Sequence, residues 1–113
     1  MKLNIYEKRA IVKTYEADTY DLMFGTVEDV ANAVNLDSLT SGTDAEIIKL
    51  VGNLVMNSLS TVKDLLKDVF DGITDEELKH TKIKEIATVM VDIVKFTIKQ
   101  INLGDDGKNV TRG

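Results

Sequence analysis

The residues able to do chemistry are few, and most of them explain themselves without a ligand. His80 is the sole histidine. An imidazole serves as a general base or a metal ligand near neutral pH, but Lys79 and Lys82 flank it and no second histidine or cysteine stands at helical spacing. An exposed surface histidine accounts for it. Asp75-Glu76-Glu77 lines up consecutive carboxylates that a cation would accept. Acids in the first turn of a helix are already stabilised by the helix dipole, so the run needs no cation. Asp105 and Asp106 lack the ligand spacing of a calcium loop. Gly104-Asp105-Asp106-Gly107 precedes no helix whose N–H groups would cradle a phosphate. With no cysteine, disulfides, thiolate metal sites and cysteine nucleophiles are all excluded. The expectation is a protein that is not an enzyme and takes no cofactor or metal.

One serine invites a more specific reading. Asp37-Ser38-Leu39, in a small acidic helical chain, resembles the phosphopantetheine attachment site of acyl carrier proteins, where the serine begins a helix. Thr40-Ser41-Gly42 breaks the chain where that helix should start, and β-rich residues stand where the carrier's first helix should be. A plain loop serine is the alternative.

Composition narrows the class. The chain has 113 residues, enough for one domain with a modest core. Its net charge of −5 and pI near 4.8 argue against nucleic acid, whose phosphates demand a basic surface. No apolar run approaches the roughly 20 residues that span a bilayer, and Met1-Lys2-Leu3-Asn4 opens no signal peptide. The expected compartment is the cytosol. Proline is absent, which favours unbroken helices.

The elements that must position these residues are mainly helical. Leu3-Asn4-Ile5-Tyr6 and Ala10 to Tyr15 are β-rich runs around Glu7-Lys8-Arg9, and predict a hairpin over about residues 2–15. Leu3 and Ile5 share a face, opposite either Ile11, Lys13 and Tyr15 or Val12 and Thr14. The turn has no glycine, so a helix from Tyr6 to Glu16 competes with the hairpin. Val27, Val30, Ala31 and Val34 then recur at helical spacing after Thr26, predicting a short helix over about 26–34. Residues 35–42 read as a loop.

Two long amphipathic helices follow, over about 44–70 and 75–103. In the first, Ile47, Val51, Leu54, Ser58, Val62, Leu65 and Val69 form a stripe, with Ile48, Val55, Leu59, Leu66 and Phe70 beside it. Gly52 falls inside this helix, where a close helix crossing would explain it. The break after it is strongly written. Gly72 suits a helix C-terminus, Thr74 and Glu77 fit a capping box, and Ile73 with Leu78 fits a hydrophobic staple. In the second helix the stripe of Ile83, Ile86, Ala87, Met90, Val94, Thr97 and Ile101 is flanked by Val89, Ile93 and Phe96 on one side and by Val91 and Ile98 on the other. At about 100° per residue its apolar arc reaches roughly 220°, too wide for one partner helix. Either this helix is central to the bundle or part of the band is a docking surface. The β-branched run from Ile86 to Ile98 would also suit a strand, but its length and the cap at Thr74 decide for helix. Leu103-Gly104 is expected to end it, leaving 105–113 as a flexible polar tail.

The order of parts resembles the tail assembly chaperones of long-tailed phages of Gram-positive bacteria. The likeness runs through Met1-Lys2-Leu3-Asn4-Ile5, the segment Thr19 to Asp29, the long Val/Leu/Ile helix, the Gly72-to-Glu77 link and the Lys-rich apolar last helix, over residues 1–104. The resemblance implies a mainly α domain with an N-terminal hairpin. It also implies a holdase, confined to the host cell cytoplasm and absent from the virion. Such a holdase keeps the aggregation-prone tape measure protein soluble and helps tail tube subunits polymerise around it. Implied partners are therefore the tape measure protein and the tail tube protein, with self-association left open and neither nucleic acid nor membrane involved. Phe70, Val89, Phe96 and Leu103 are the expected docking residues. The family's genes often give a longer product by programmed frameshifting, and Gly107-Lys108-Asn109 can be encoded by a slippery GGA-AAA-AAC. A plain polar terminus is the other reading. A helical adaptor unrelated to phage is the remaining rival.

Overall fold

The fold begins with a hairpin that presents one strand to the helices and the other to water. In the computed structural model the described residues are 1–34 and 43–111, with side chains described through Gln100. Strand β1 (Lys2–Glu7) pairs antiparallel with β2 (Ala10–Glu16). Leu3 faces Tyr15 and Ile5 faces Lys13; Tyr6 then faces Ile11, so Val12 is an extra residue bulging from β2. Leu3 and Ile5 are buried, whereas β2 is exposed almost throughout. The glycine-free turn is made by placing Lys8 in the left-handed region, with φ of 59°. The rival helix over 6–16 is thereby replaced by strands.

A 3-10 turn (Thr19–Asp21), capped by the Asp18 side chain, leads into α1 (Phe24–Ala33). This helix starts two residues before the expected Thr26, which is itself buried. Helix α2 (Asp44–Asn57) is capped by Thr43, whose hydroxyl accepts from the Glu46 N–H. The single helix expected over 44–70 is in fact two. At Ser58 the backbone leaves the helical region (φ −141°, ψ 52°), and α3 (Leu59–Val69) resumes beyond it. The two halves serve different neighbours: α2 packs on the last helix, and α3 packs on α1 and α2. A straight helix could not serve both, and Ser is a poor enough interior residue to yield there.

Phe70 ends α3, Gly72 turns the chain with φ of 90°, and α4 (Asp75–Leu78) opens on the expected capping box. Thr74 and Glu77 exchange side-chain and backbone bonds at 3.1 Å each way. The helix expected to run on from there stops after one turn. The Thr81 hydroxyl donates to the Leu78 carbonyl at 2.7 Å, and α5 (Ile83–Thr111) starts afresh. The interruption frees the His80 carbonyl to accept from the Tyr6 N–H at 2.8 Å, tying β1 to the junction. At its far end α5 continues past Leu103-Gly104 to Thr111. Gly104 and Gly107 lower helix propensity without blocking the backbone as proline would.

Helix α5 is the centre of the bundle. It touches α1, α2 and β1, and its Val89, Met90, Ile93, Val94 and Thr97 are almost wholly buried. Thr97 satisfies its hydroxyl on the Ile93 carbonyl at 2.9 Å. The broad apolar arc is thus explained mostly by neighbours within the chain. Among the described residues no helix is long and apolar enough to cross a membrane.

Candidate docking surface

Of the four residues expected to dock a partner, the structure removes two. Phe70 and Val89 are buried at 1% and 2% exposure. Phe70 lies under the Tyr15 ring, edge to face at 6.4 Å, and is core. Both were read as flank because a helical wheel cannot say that β2, through Tyr15, and the rest of the bundle fold over them. Phe96 is half-buried. It meets Tyr20 edge to face at 5.9 Å, in an open cleft of about 620 Å³ shared with Asp18, Asp92, Lys95 and Lys99. The Leu103 side chain and Ser38 lie outside the described residues. His80 is exposed, and what it contributes to the fold is its backbone carbonyl. Among the described residues no group of three or more His, Cys, Asp or Glu is placed to hold a metal.

Exposed apolar side chains collect elsewhere. Tyr20, Met23 and Phe24 stand out at the entry to α1, and Ile48 and Met56 on the outer face of α2. Leu59 and Ile83, 56% and 60% exposed, sit at the first positions of α3 and α5. These last two edge a groove of about 170 Å³ between α3, α4 and the start of α5. Its floor is the buried Val62, Leu66 and Leu78, and half-buried Ile86 closes one side. Leu59, Val62 and Leu66 follow the i, i+3, i+7 rhythm of a single helix face. The sequence pattern puts Ile83 in the core stripe of its helix and Leu59 just beside the stripe of the one before. The two helix breaks, at Ser58 and at residues 79–82, place both at helix starts where no further turn covers them.

The far side of α4 is polar and tightly bonded. The Tyr15 hydroxyl donates to Glu77 Oε1 at 2.6 Å, and Lys13 Nζ stands 3.3 Å from Glu77 Oε2. The Tyr15 hydroxyl and desolvation act on Glu77 in opposite senses. The hydroxyl, aided by Thr74 and Lys13, wins, and holds the carboxyl below its usual value. Glu85 accepts from the Tyr6 hydroxyl through one oxygen and from the Asn4 N–H, at 3.1 Å, through the other. Burial pushes the Glu85 carboxyl up, but these bonds together with Lys82 outweigh it, and the net shift is downward. The same bond to Glu85 holds the Tyr6 phenol above its usual value, while the Lys82 ammonium lies 4.4 Å from the centre of the Tyr6 ring.

Comparison with protein-family models, with curated proteins and with solved structures finds no match to this chain.

Proposed function

We propose that this protein is a tail assembly chaperone of a long-tailed phage. In this reading it binds apolar helical segments of the tape measure protein in the host cytoplasm and keeps them soluble while tail tube subunits assemble around them. It is then left behind when the virion is complete. The support is the order of parts along the sequence, together with one physical observation that carries the reading. Among the described residues, an apolar groove with helical walls stays uncovered beside a core that buries most of the helices' apolar stripes. A holdase for helices needs such a surface, because apolar side chains of the guest must leave water somewhere. The acidic body, at −5, keeps a protein with exposed apolar groups dispersed. The partner surface moves accordingly, from the Phe70 and Val89 flank to Leu59, Ile83 and their neighbours, with the Phe96 cleft as a second contact.

Co-expression tests this directly. A tape measure fragment that aggregates alone should stay soluble with the wild-type protein and return to the pellet with a Leu59→Asp/Ile83→Asp variant. Each substitution puts an acid at the start of a helix, where the dipole favours it, so the variant should keep its helicity by circular dichroism. A variant that remains folded and still solubilises the fragment as well as wild type overturns the assignment of this groove. Failure of the wild type to solubilise any part of the tape measure protein overturns the function.

A further inference from the structure

The groove has a charged rim that says more about its guest. Lys63 on α3 and Lys79 just beyond α4 stand at its edges together with Asp75. Asp75 Oδ1 is engaged by Lys67 Nζ at 2.6 Å, with Lys63 Nζ a longer 3.8 Å from the same oxygen. Lys79 Nζ lies 3.7 Å from Glu76 Oε2, both side chains 73% exposed. Lysines therefore outnumber carboxylates at this edge, in a chain whose overall charge has the opposite sign. Exposed ion pairs of this kind hold weakly against solvent, so Lys63 and Lys79 can turn to new carboxylates at small cost.

The walls limit the guest's shape. The lined face of α3 spans Leu59 to Leu66, a rise of roughly 10 Å or two helical turns. A space of about 170 Å³ admits side chains but no helix backbone. We propose that the groove seats an amphipathic helix that lays about two turns of apolar side chains between Leu59 and Ile83 and borders them with acidic residues facing Lys63 and Lys79. This deepens the chaperone reading and rests on it only in taking a helix as guest; the acidic border is argued from this rim alone. At physiological salt, charges more than about 8 Å away are largely screened, so the local rim outweighs the net negative body.

Two synthetic helical peptides decide it. Both carry leucines at i, i+3, i+4 and i+7; one has glutamates beside that stripe and the other lysines. Titrated into the full chain, the glutamate peptide should bind roughly tenfold tighter, with the preference fading as salt rises. The Lys63→Glu/Lys79→Glu variant should reverse the order, and Ile83→Asp should weaken both peptides. Equal binding of the two peptides, a preference for lysine, or binding indifferent to both variants overturns the inference. If that happens while the tape measure fragment is still solubilised, the chaperone reading stands. If the glutamate peptide binds as expected but the fragment is not solubilised, the seat stands and the chaperone reading falls.

Discussion

The two flanks of the α4–α5 junction are built from opposite materials. Facing the hairpin, Glu77 and Glu85 are held by Tyr15, Lys13, Tyr6 and Asn4, in bonds that span long stretches of sequence. Facing α3, a few residues away, Leu78 and Ile86 line a groove with Leu59 and Ile83 at its edges and none of the described residues over it. Charge-assisted hydrogen bonds are directional and fix a geometry, whereas apolar contact is adaptable and indifferent to register. A single short element can thus be anchored rigidly on one side and offered to a guest on the other. The contrast teaches that a helix break can leave apolar residues uncovered: Leu59 and Ile83 each stand where a helix restarts.

The largest test sets core against groove. Phe70→Ala should cost about 3–5 kcal/mol in denaturant unfolding, because it empties a sealed site beneath Tyr15 and leaves a cavity. Ile83→Ala, at a side chain already 60% exposed, should stay within roughly 0.5 kcal/mol. If the two variants came out alike, the division between a closed interior and an open groove would be wrong.

Next comes the anchored flank and its dependence on pH. The folded carboxyls of Glu77 and Glu85 ionise below their ordinary value near 4.5. A depressed carboxyl stabilises the fold fully above its unfolded value and loses that contribution as pH falls through the folded one. Stability should accordingly be flat near neutrality and decline below about pH 4.5. At the other end, the Tyr6 phenol is raised above its usual 10.0, so its contribution is complete below that pH and disappears as pH climbs past the raised value. Glu77→Gln should flatten part of the acid limb and speed hydrogen exchange in β2 before it touches α2. An acid limb unchanged by the substitution would mean that the Tyr15–Lys13–Glu77 cluster does not anchor the hairpin.

Much of this architecture was legible before any coordinates. The Thr74–Glu77 capping box, the Gly72 turn and the Leu3/Ile5 face all follow from local chemistry, while the width of the apolar arc left the centrality of the last helix as one of two readings. The breaks at Ser58 and after Leu78 were not legible. No proline or glycine marks either one; the first joins helices that reach different neighbours and the second frees the His80 carbonyl for Tyr6, long-range ties absent from any local window. The burial of Phe70 and Val89 was not legible for the same reason: a wheel drawn on one helix cannot show which of its flanks the rest of the bundle closes over.

A small effect lies at Gly52, and it separates backbone cost from contact. This glycine sits inside α2 with no neighbour within 4 Å of where a Cβ would stand, and its φ is not in the left-handed region. The close helix crossing expected there is therefore not made among the described residues. Glycine in an exposed helix interior costs about 1 kcal/mol relative to alanine, through the freedom it loses on folding. Gly52→Ala should then raise the unfolding free energy by about 0.5–1 kcal/mol and leave guest binding in the groove unchanged. Ile48 and Met56, four residues to either side, are both exposed, so the substitution also probes whether this outer face meets anything. A stabilised protein that holds its guest as before keeps docking on α3 and off the outer face of α2. A stabilised protein that loses its guest moves the contact onto α2, and the contrast between anchored and open flanks would have to be redrawn around that helix.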